Sequence, residues 1–392
     1  MTVAGVIAEF DPLHRGHGYL LRQIRAQLGA DTVIVAAMSG TFTQRGGAAI
    51  CTPHARAEMA LRVGADLVLE LPQPFCSASA ETFARGGAEV LRTSGIVDVL
   101  CFGSESGDIG ALRRMANAID TPGFSAAVKT DLGRGLPFAR ARQNALETVI
   151  GADAAGMTGA NDLLGVEYLR ALGADFPVCT VTRRDGGHHG ASSATEVRRL
   201  IRRGDWPEAE SLLPPDSCRI LRRERETGRC PAGLHWAERA VLYRLRTMTE
   251  ADFAALPDCG EGLEHRLVRA AAQAESLEQF YLLAKSKRYA HARIRRIALR
   301  AFLGITEIPN SVGYLRVLGA TERGVELLRR MKRTATLPVI TKPAHGRGLE
   351  GAAGELFALN RRVDDLWGLC LERPLGAGWS FRSGPVMLKT EK

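Results

Sequence analysis

Short apolar runs alternate with helical patterns of apolar and polar residues over the first hundred residues. The apolar runs are rich in Val, Ile and Leu, as buried parallel strands are. They cover residues 3–7, 32–38, 66–71 and 97–102. The helical patterns lie between them, over residues 18–28, 53–64 and 81–94. This alternation predicts an α/β fold with a Rossmann-like doubly wound parallel sheet.

The pattern changes after about residue 200, where strand-like runs fade and the chain becomes mostly helical in character. Residues 207–216 read PEAESLLPPD, which predicts a connection between domains. We therefore expect a Rossmann-like domain over residues 1–205 and a mostly helical domain over residues 206–392. Doubly wound sheets bind ligands beyond the carboxyl ends of their strands, so the loops after Ile7, Met38 and Phe102 should converge on one site.

The composition fits two domains without a membrane anchor. The chain has 392 residues, 45% of them hydrophobic and 24% charged, and no apolar run approaches the roughly 18 residues of a membrane span. The first residues carry no export signal, so we expect a cytoplasmic protein. Eight cysteines are scattered without a C-x-x-C pair, which predicts buried thiols and no zinc site.

The net charge of +9 comes mainly from arginine, which supplies 45 of the 52 basic side chains. Arginine binds phosphate bidentately and stacks on bases, so this charge raises the expectation of a nucleic-acid partner. GC-rich coding would produce the same bias, and composition alone does not choose between the two.

The segment DPLHRGH follows the first predicted strand and leads into a helix at about Gly18. Its pattern H-x-G-H puts His14 and His17 on one face of a helix N-terminus, beside backbone N–H groups that attract phosphate. Donors in this position suit nucleotidyl transfer, because negative charge builds at the α-phosphate during the reaction. The alternatives are ordinary polar histidines, or a metal site completed by His188 or His189.

The segment SSATEVR, residues 192–198, has the character of a second helix start. Ser193 or Thr195 is expected to cap this helix, since serine and threonine favour the N-cap position. The same helix start presents N–H groups, a hydroxyl and the Arg198 guanidinium to the β- and γ-phosphates of a nucleotide. Capping and phosphate binding are therefore compatible.

With these two signatures the chain resembles the H-x-G-H nucleotidyltransferase superfamily, whose second phosphate-binding element often reads I-S-S-T-x-x-R. Further blocks narrow the resemblance to the tRNA(Met) cytidine acetate ligase family and run from end to end of the chain. They read GVIAEFDPLHRGH, AAMSGTFTQRG, GADLVLELP, FGSE, NDLLGVEYL, KSKRYAHARIRRIALRAFLGI, YLRVLG and PVITKP. Several blocks in this order are more specific than any single motif.

The resemblance implies an enzyme that condenses acetate with ATP, accompanied by magnesium, to give acetyladenylate. The acetyl group would then pass to the wobble cytidine of elongator tRNA(Met), giving N(4)-acetylcytidine. The implied catalytic residues are His14, His17 and Arg198. The implied nucleotide site comprises Ile7, Ala8, Glu9, Phe10, Asp11, Pro12, Leu13, His14, Arg15, Gly16, His17, Gly18, Tyr19, Leu20, Gly103, Asn161, Arg184, Ser193 and Thr195.

Three positions depart from the usual pattern of the family. Asp11 stands where asparagine is usual, Leu13 replaces phenylalanine, and Arg15 replaces a second asparagine. An aspartate only accepts hydrogen bonds, whereas an asparagine also donates them. Near ATP phosphates the charge of Asp11 is unfavourable unless magnesium or Arg15 balances it.

A basic segment in the second half of the chain predicts a tRNA-binding surface. Residues 285–300 hold seven lysines or arginines and no acidic residue. At helical spacing, Ile294, Ile297, Ala298 and Ala301 pack on one side, and the basic residues bind phosphate on the other. The basic side comprises Lys285, Arg288, Arg295, Arg296 and Arg300. A solvated basic face without a ligand is the alternative.

The sequence leaves two interpretations open for each of four residues. Tyr289 and His291 either stack on bases or pack in the protein. Gln44 and Arg45, in a glycine-flanked loop, contact either acetate or RNA.

Two other functions also fit the chain. The first is another adenylyltransferase of the same superfamily, with the helical part as a dimerisation or lid element. A neutral helical face would have favoured it. The second is a non-catalytic RNA-binding homologue, which leaves the intact His14, Gly16, His17 and Arg198 unexplained.

Overall fold

The computed structural model describes residues 1–136, 138–151, 159–173, 175–182 and 193–389. The strands are β1 Val3–Ala8, β2 Val33–Ser39, β3 Phe42–Thr43, β4 Gly47–Ala48, β5 Leu67–Leu71, β6 Val99–Gly103, β7 Val178–Val181, β8 Leu315–Ala320, β9 Val339–Ile340 and β10 Val386–Met387. The α-helices are α1 Arg15–Leu28, α2 Pro53–Val63, α3 Ala80–Thr93, α4 Ile109–Ile119, α5 Pro122–Gly133, α6 Phe138–Ile150, α7 Ala160–Leu172, α8 Ala194–Arg203, α9 Trp206–Ser211, α10 Pro215–Glu226, α11 Glu238–Thr247, α12 Glu250–Ala254, α13 Leu263–Gln273, α14 Leu277–Ala284, α15 His291–Leu303, α16 Glu322–Thr334 and α17 Gly351–Trp367. Short 3-10 helices lie at Phe75–Ser77, Pro343–Gly348, Gly368–Cys370 and Ser380–Arg382.

Eight of these strands form one sheet in the order β10-β8-β5-β2-β1-β6-β7, with β9 paired to β8. β1 runs parallel to β2, from Val3 opposite Val33 to Ala8 opposite Met38, and parallel to β6 on its other side. The chain winds outward from β1 in both directions, which confirms the predicted doubly wound α/β fold. The carboxyl ends of β1, β2 and β6 therefore meet at one edge of the sheet.

Helices cover both faces of the sheet. Apolar residues of α1, α2, α8 and α10 pack against one face, among them Leu21, Met59 and Leu200. Residues of α3 to α7 pack against the other face, with Phe83 and Leu112 at the centre. Because helices cover both faces of the sheet, the strands are apolar along their whole length. These continuous apolar runs are the pattern by which the strands were predicted.

Three strands come from the part of the chain that was expected to be mostly helical. β8 pairs antiparallel with β5, and β9 and β10 pair with β8, so the sheet crosses the predicted boundary at residue 205. β8 is buried throughout and carries Arg316, which forms ion pairs with Glu70 at 3.1 Å and Asp364 at 3.4 Å. The division into residues 1–205 and 206–392 stays a prediction about folding units and does not divide the sheet.

The predicted connection between domains over residues 207–216 is mostly helical, and as a domain boundary it stays a prediction. α9 already begins at Trp206, and α10 begins at Pro215. Pro207 and Pro215 lie in the first turns of these helices, where a missing N–H group is tolerated. The prolines that resembled a linker therefore start helices.

Helices α11 to α15 and α17 share a second core that includes Leu245, Phe253 and Trp367. The β3–β4 hairpin, although it belongs to the first part of the chain, joins this core through Phe42 and Ala48. The hairpin therefore links the helical core to the loop that follows β2.

The structure bears on two expectations from the composition, the state of the cysteines and the absence of a membrane-spanning helix. All eight cysteines are free thiols, and five of them are buried. None of the described helices is long and apolar enough to cross a lipid bilayer.

Candidate active site

The two histidines of the H-x-G-H pattern lie at the very start of α1, which begins at Arg15 and not at the predicted Gly18. His14 is the N-cap residue, and its Nδ1 accepts a hydrogen bond from the Gly16 N–H at 3.0 Å. The Nδ1 of His17 accepts from the His14 N–H at 3.2 Å, and the two rings stack with centroids 3.8 Å apart. Because both Nδ1 atoms are acceptors, each neutral ring carries its proton on Nε2 and offers a donor there.

The segment predicted to bind phosphate as the second element is also a helix start, that of α8. Ser193 is its N-cap, and its hydroxyl accepts from the Glu196 N–H at 3.2 Å. The Thr195 hydroxyl accepts instead from two guanidinium groups, those of Arg45 at 3.2 Å and Arg198 at 3.3 Å. Of the two capping candidates, Ser193 thus caps the helix and Thr195 holds the arginines.

Arg198 joins this segment to the loop after β1. Its Nη1 donates to the backbone carbonyl of Asp11 and lies 3.2 Å from the Asp11 carboxylate. The Asp11 side chain is 2% exposed, and its other oxygen accepts from the Ile50 N–H at 2.6 Å. The predicted balance of the Asp11 charge by Arg15 needs correction, because Arg198 balances it. The Arg15 guanidinium donates to the Leu213 carbonyl at 3.4 Å.

Glu9 brings the loop after β2 into the same site. Its carboxylate accepts from the Gln44 N–H at 2.7 Å, and burial together with the charge of Asp11 raises the pKa of this carboxyl. Arg56 of α2, fully buried, donates to the carbonyls of Glu9 at 2.6 Å and Ser39 at 3.0 Å. Arg56 was not predicted from the sequence. The available signal was an arginine on the apolar face of a predicted helix.

The loop after β6 forms the third side of the site. A Cβ on Gly103 would meet no atom within 4 Å, so the backbone there borders open space. Glu105 accepts from the Asn161 backbone at 3.1 Å and from the Asn161 side chain at 3.0 Å. Asp162 accepts in turn from the Glu105 N–H at 3.1 Å. The predicted residues Gly103 and Asn161 are therefore held together through Glu105.

Two of the earlier hypotheses involve residues outside the described part of the chain. Arg184, assigned to the nucleotide, lies there, as do His188 and His189, named as possible metal ligands. Among the residues that the structure describes, no group of three His, Cys, Asp or Glu side chains is arranged to hold a metal ion.

The site is therefore an edge of the sheet lined by two helix N-termini, two imidazoles and the guanidinium groups of Arg45 and Arg198. Helix N-termini and guanidinium groups both favour anions, and phosphates above all. This arrangement fits a nucleotide triphosphate at the switch point between β1 and β6.

Comparison with known proteins agrees with this geometry. The family model for the HIGH Nucleotidyl Transferase matches residues 1–376. The tRNA(Met) cytidine acetate ligase of Syntrophomonas wolfei is 33% identical, over 98% of this chain and 99% of that protein. The enzyme of the same name from Thermotoga petrophila is 37% identical over 85% of each chain. The chain belongs to the tRNA(Met) cytidine acetate ligase family.

A solved structure supports this membership. The crystal structure of Thermotoga maritima TmcAL bound with alpha-thio ATP matches the whole chain with a TM-score of 0.91 at 33% identity. The apo form of that protein matches with a TM-score of 0.92. The helical part is thus shared with this relative as well as the sheet.

The basic segment of this tRNA(Met) cytidine acetate ligase family member differs from the predicted continuous helical face. α15 begins only at His291, so Lys285 and Arg288 lie in the exposed segment before it. Arg295 and Arg296 are half-buried, and the Arg295 guanidinium lies 5.2 Å from the centre of the Tyr281 ring. Arg300 does not belong to the surface.

Arg300 is wholly buried and donates to the Pro257 carbonyl at 2.6 Å and the Asp258 carboxylate at 2.7 Å. The helical spacing placed Arg300 correctly on the helix but could not show that another loop covers it. Tyr289 is 7% exposed and donates to the Glu261 carbonyl, and His291 lies edge-on to Tyr281, so both side chains pack.

Proposed function

We propose that the protein is an ATP-dependent acetate ligase that makes acetyladenylate and transfers its acetyl group to the wobble cytidine of elongator tRNA(Met). The product is N(4)-acetylcytidine, with AMP and pyrophosphate released. One observation carries the proposal. In a chain of this family, the stacked His14 and His17 at the start of α1 lie with Arg45, Thr195 and Arg198 at one sheet edge.

In the first step an acetate oxygen attacks the α-phosphorus of ATP, and the bond from that phosphorus to the pyrophosphate oxygen breaks. Two anions must approach each other, so positive potential lowers the barrier. The Nε2–H groups of His14 and His17, with the N-terminus of α1, act on the α-phosphate. Arg198 and Arg45, both held by Thr195, act on the departing phosphates.

In the second step the exocyclic amine of cytosine attacks the acetyl carbonyl, the bond to AMP breaks, and the amine loses a proton. This amine is a weak nucleophile because its lone pair is delocalised into the ring. Positioning therefore supplies most of the catalysis, and the base has to leave the anticodon stack to reach the site. No cysteine nucleophile takes part.

Magnesium enters this proposal with ATP as a substrate complex, held chiefly by phosphate oxygens. The absence of a three-ligand His, Cys, Asp or Glu cluster in the described ranges is consistent with an ion that arrives with its nucleotide. We place the reaction in the cytoplasm, where tRNA and ATP are available.

The tRNA surface of the proposal comprises Lys285, Arg288, Arg295 and Arg296. The first two are exposed ahead of α15, and Arg295 lies beside the hairpin loop that carries Arg45. This position supports a path for RNA from the helical part toward the nucleotide. A phosphate backbone is attracted to such a cluster without regard to base sequence.

The experiment is to incubate the protein with ATP, labelled acetate and total tRNA, digest the tRNA, and search for acetylated cytidine by mass spectrometry. Its appearance, dependent on both ATP and acetate, supports the proposal. Acetate-dependent pyrophosphate release without acetylated cytidine would keep the adenylation and reject this RNA target. Silence in both assays would favour another substrate or a non-catalytic homologue, and the His17→Gln variant serves as the inactive control.

A further inference from the structure

An exposed aromatic pair lies beside the candidate active site and plays no part in the proposed chemistry. Trp236 is 44% exposed, and its ring centre lies 4.8 Å from that of His235, which is exposed as well. The two ring planes are inclined to each other by 42°, so the exposed indole of Trp236 offers the flat face and the His235 ring lies at an angle beside it.

Hydrogen bonds tie this pair to the loop that holds Arg198. The Ala232 N–H donates to the Ile50 carbonyl at 2.8 Å, and the Ile50 N–H donates to the Asp11 carboxylate at 2.6 Å. The Gly233 N–H donates to the Cys370 carbonyl at 2.7 Å, and the Trp236 N–H donates back to Gly233 at 3.1 Å. These bonds fix the backbone that leads into the aromatic pair, and Ala232 lies two hydrogen bonds away from the Asp11–Arg198 ion pair.

Arginine charges connect the pair electrostatically with the nucleotide site, since the charge of Arg202 acts on His235, and Arg198 and Arg295 act on Arg202. Arg202 follows Arg198 by one turn of α8 and, among the described residues, forms no ion pair. Desolvation and the charge of Arg198 lower the pKa of Arg202, the charge of Asp11 raises it, and the charge of Arg295 lowers it. The charge of Arg202 also lowers the pKa of His235. Guanidinium groups gathered in this way favour a polyanion.

We propose that His235 and Trp236 form a stacking platform for an unpaired nucleotide of an RNA loop, with Arg202 and Arg295 holding the adjacent phosphates. Single-stranded RNA is recognised by aromatic stacking combined with basic side chains, and this corner offers both. The platform rests on the proposed function, for which it names the residues that receive the anticodon loop beside acetyladenylate. Because the backbone at the pair is already hydrogen-bonded, little backbone ordering is required on binding.

The test of stacking uses tryptophan fluorescence of the full-length protein. Its four tryptophans include Trp367 and Trp379, which are buried, and Trp206, which is half-buried beneath Arg225. We expect a hairpin RNA that carries the anticodon loop of elongator tRNA(Met) to quench wild-type and Trp206→Phe fluorescence. Trp236→Phe should lose the quenching. Quenching that persists in Trp236→Phe and disappears in Trp206→Phe would overturn the platform.

The kinetic test compares acetyl transfer to tRNA with acetate-dependent pyrophosphate exchange. We expect Trp236→Ala to lower kcat/KM for tRNA between about fivefold and about a hundredfold, mainly through KM, which is the loss of one stacked base. Trp236→Phe restores most of the loss, and Trp206→Phe changes neither rate. Pyrophosphate exchange that falls in parallel with transfer in Trp236→Ala would indicate a structural role and overturn the proposal.

The two proposals fail in different ways. If the wild-type protein acetylates no tRNA, the proposed function fails, whereas the fluorescence test still decides whether Trp236 stacks on RNA. If the wild-type protein acetylates tRNA and Trp236→Ala does so equally well, the platform alone is wrong.

Discussion

Removing Arg198 separates its structural role from its catalytic one. Arg198→Ala removes the cation from the Asp11 carboxylate, which is 2% exposed, and among the described residues leaves the Ile50 N–H as its hydrogen-bond donor. Unit charges about 4 Å apart attract each other by about 4 kcal/mol at an effective dielectric constant near 20. Breaking a buried pair from one side costs about 3–5 kcal/mol. Since Arg198 itself is 14% exposed, we expect the lower end, about 3 kcal/mol.

The double variant Arg198→Ala with Asp11→Asn removes both charges. Its amide still accepts from the Ile50 N–H, so we expect the free energy of unfolding to return to within about 1 kcal/mol of the wild-type value. We expect catalysis not to return, because the guanidinium that we propose to act on the phosphates is missing in both variants.

Urea unfolding followed by circular dichroism measures the first effect, and acetate-dependent pyrophosphate exchange measures the second. Asp11→Asn alone is the matched control, since it keeps Arg198 and its bonds to the Asp11 carbonyl and to Thr195. If the double variant were as unstable as Arg198→Ala, an unpaired carboxylate would not be the cause of the instability. If the double variant kept full exchange activity, Arg198 would have no role in the chemistry.

Three further predictions test the histidines, the basic surface and the hairpin. His17→Gln keeps a capping side chain at the third helical position but removes the Nε2–H donor, so pyrophosphate exchange should fall about a hundredfold while the thermal midpoint changes little. The double variant Lys285→Ala with Arg288→Ala should weaken tRNA binding. The slope of the logarithm of the binding constant against the logarithm of the salt concentration should become shallower by about 0.7 for each lost phosphate contact. Gly46→Ala should lower pyrophosphate exchange, because a Cβ on Gly46 would lie 2.7 Å from the Arg295 backbone. Gly47→Ala should leave the exchange rate unchanged, because a Cβ on Gly47 would come no closer than 3.9 Å to the Arg295 side chain.

Each of these predictions has a contrasting outcome. Full exchange activity in His17→Gln would reject the H-x-G-H assignment. An unchanged salt dependence in the double basic variant would move the RNA surface elsewhere. Arg300→Ala gives the internal contrast, since it should lower stability through its buried bonds to Pro257 and Asp258. Equal activity in Gly46→Ala and Gly47→Ala would show that the hairpin position does not matter.

The first half of the fold was predictable because its information is local. Buried parallel strands carry unbroken apolar runs, and helices between them carry an apolar stripe, so β1, β2, β5 and β6 follow from their own residues. The site follows from the strand order, since the carboxyl ends of neighbouring parallel strands meet at one edge. Ser193 and His14 are the residues at the starts of two helices, and capping chemistry identifies such positions.

The rest depends on contacts between distant parts of the chain. β8 pairs with β5 although about 250 residues separate them, and its Arg316 is buried only because Glu70 and Asp364 surround it. Arg300 likewise lies on a helix whose spacing predicts exposure, and the loop that covers it comes from residues 257–258. A charged residue is placed in the interior by its partner, which its own neighbours in sequence do not reveal.

The β3–β4 hairpin connects the two halves of the proposed reaction. Its strands pack in the helical core through Phe42 and Ala48, whereas Gln44 and Arg45 at its tip bind Glu9 and Thr195. Between them, the positive φ of 72° at Gly46 lets the tip lie directly on the backbone of α15. Under the proposed function, a shift of α15 on binding RNA would reach Thr195 through Gly46 and Arg45. We therefore expect RNA affinity to differ between the empty and the nucleotide-filled protein, because a coupling between two sites acts equally in both directions.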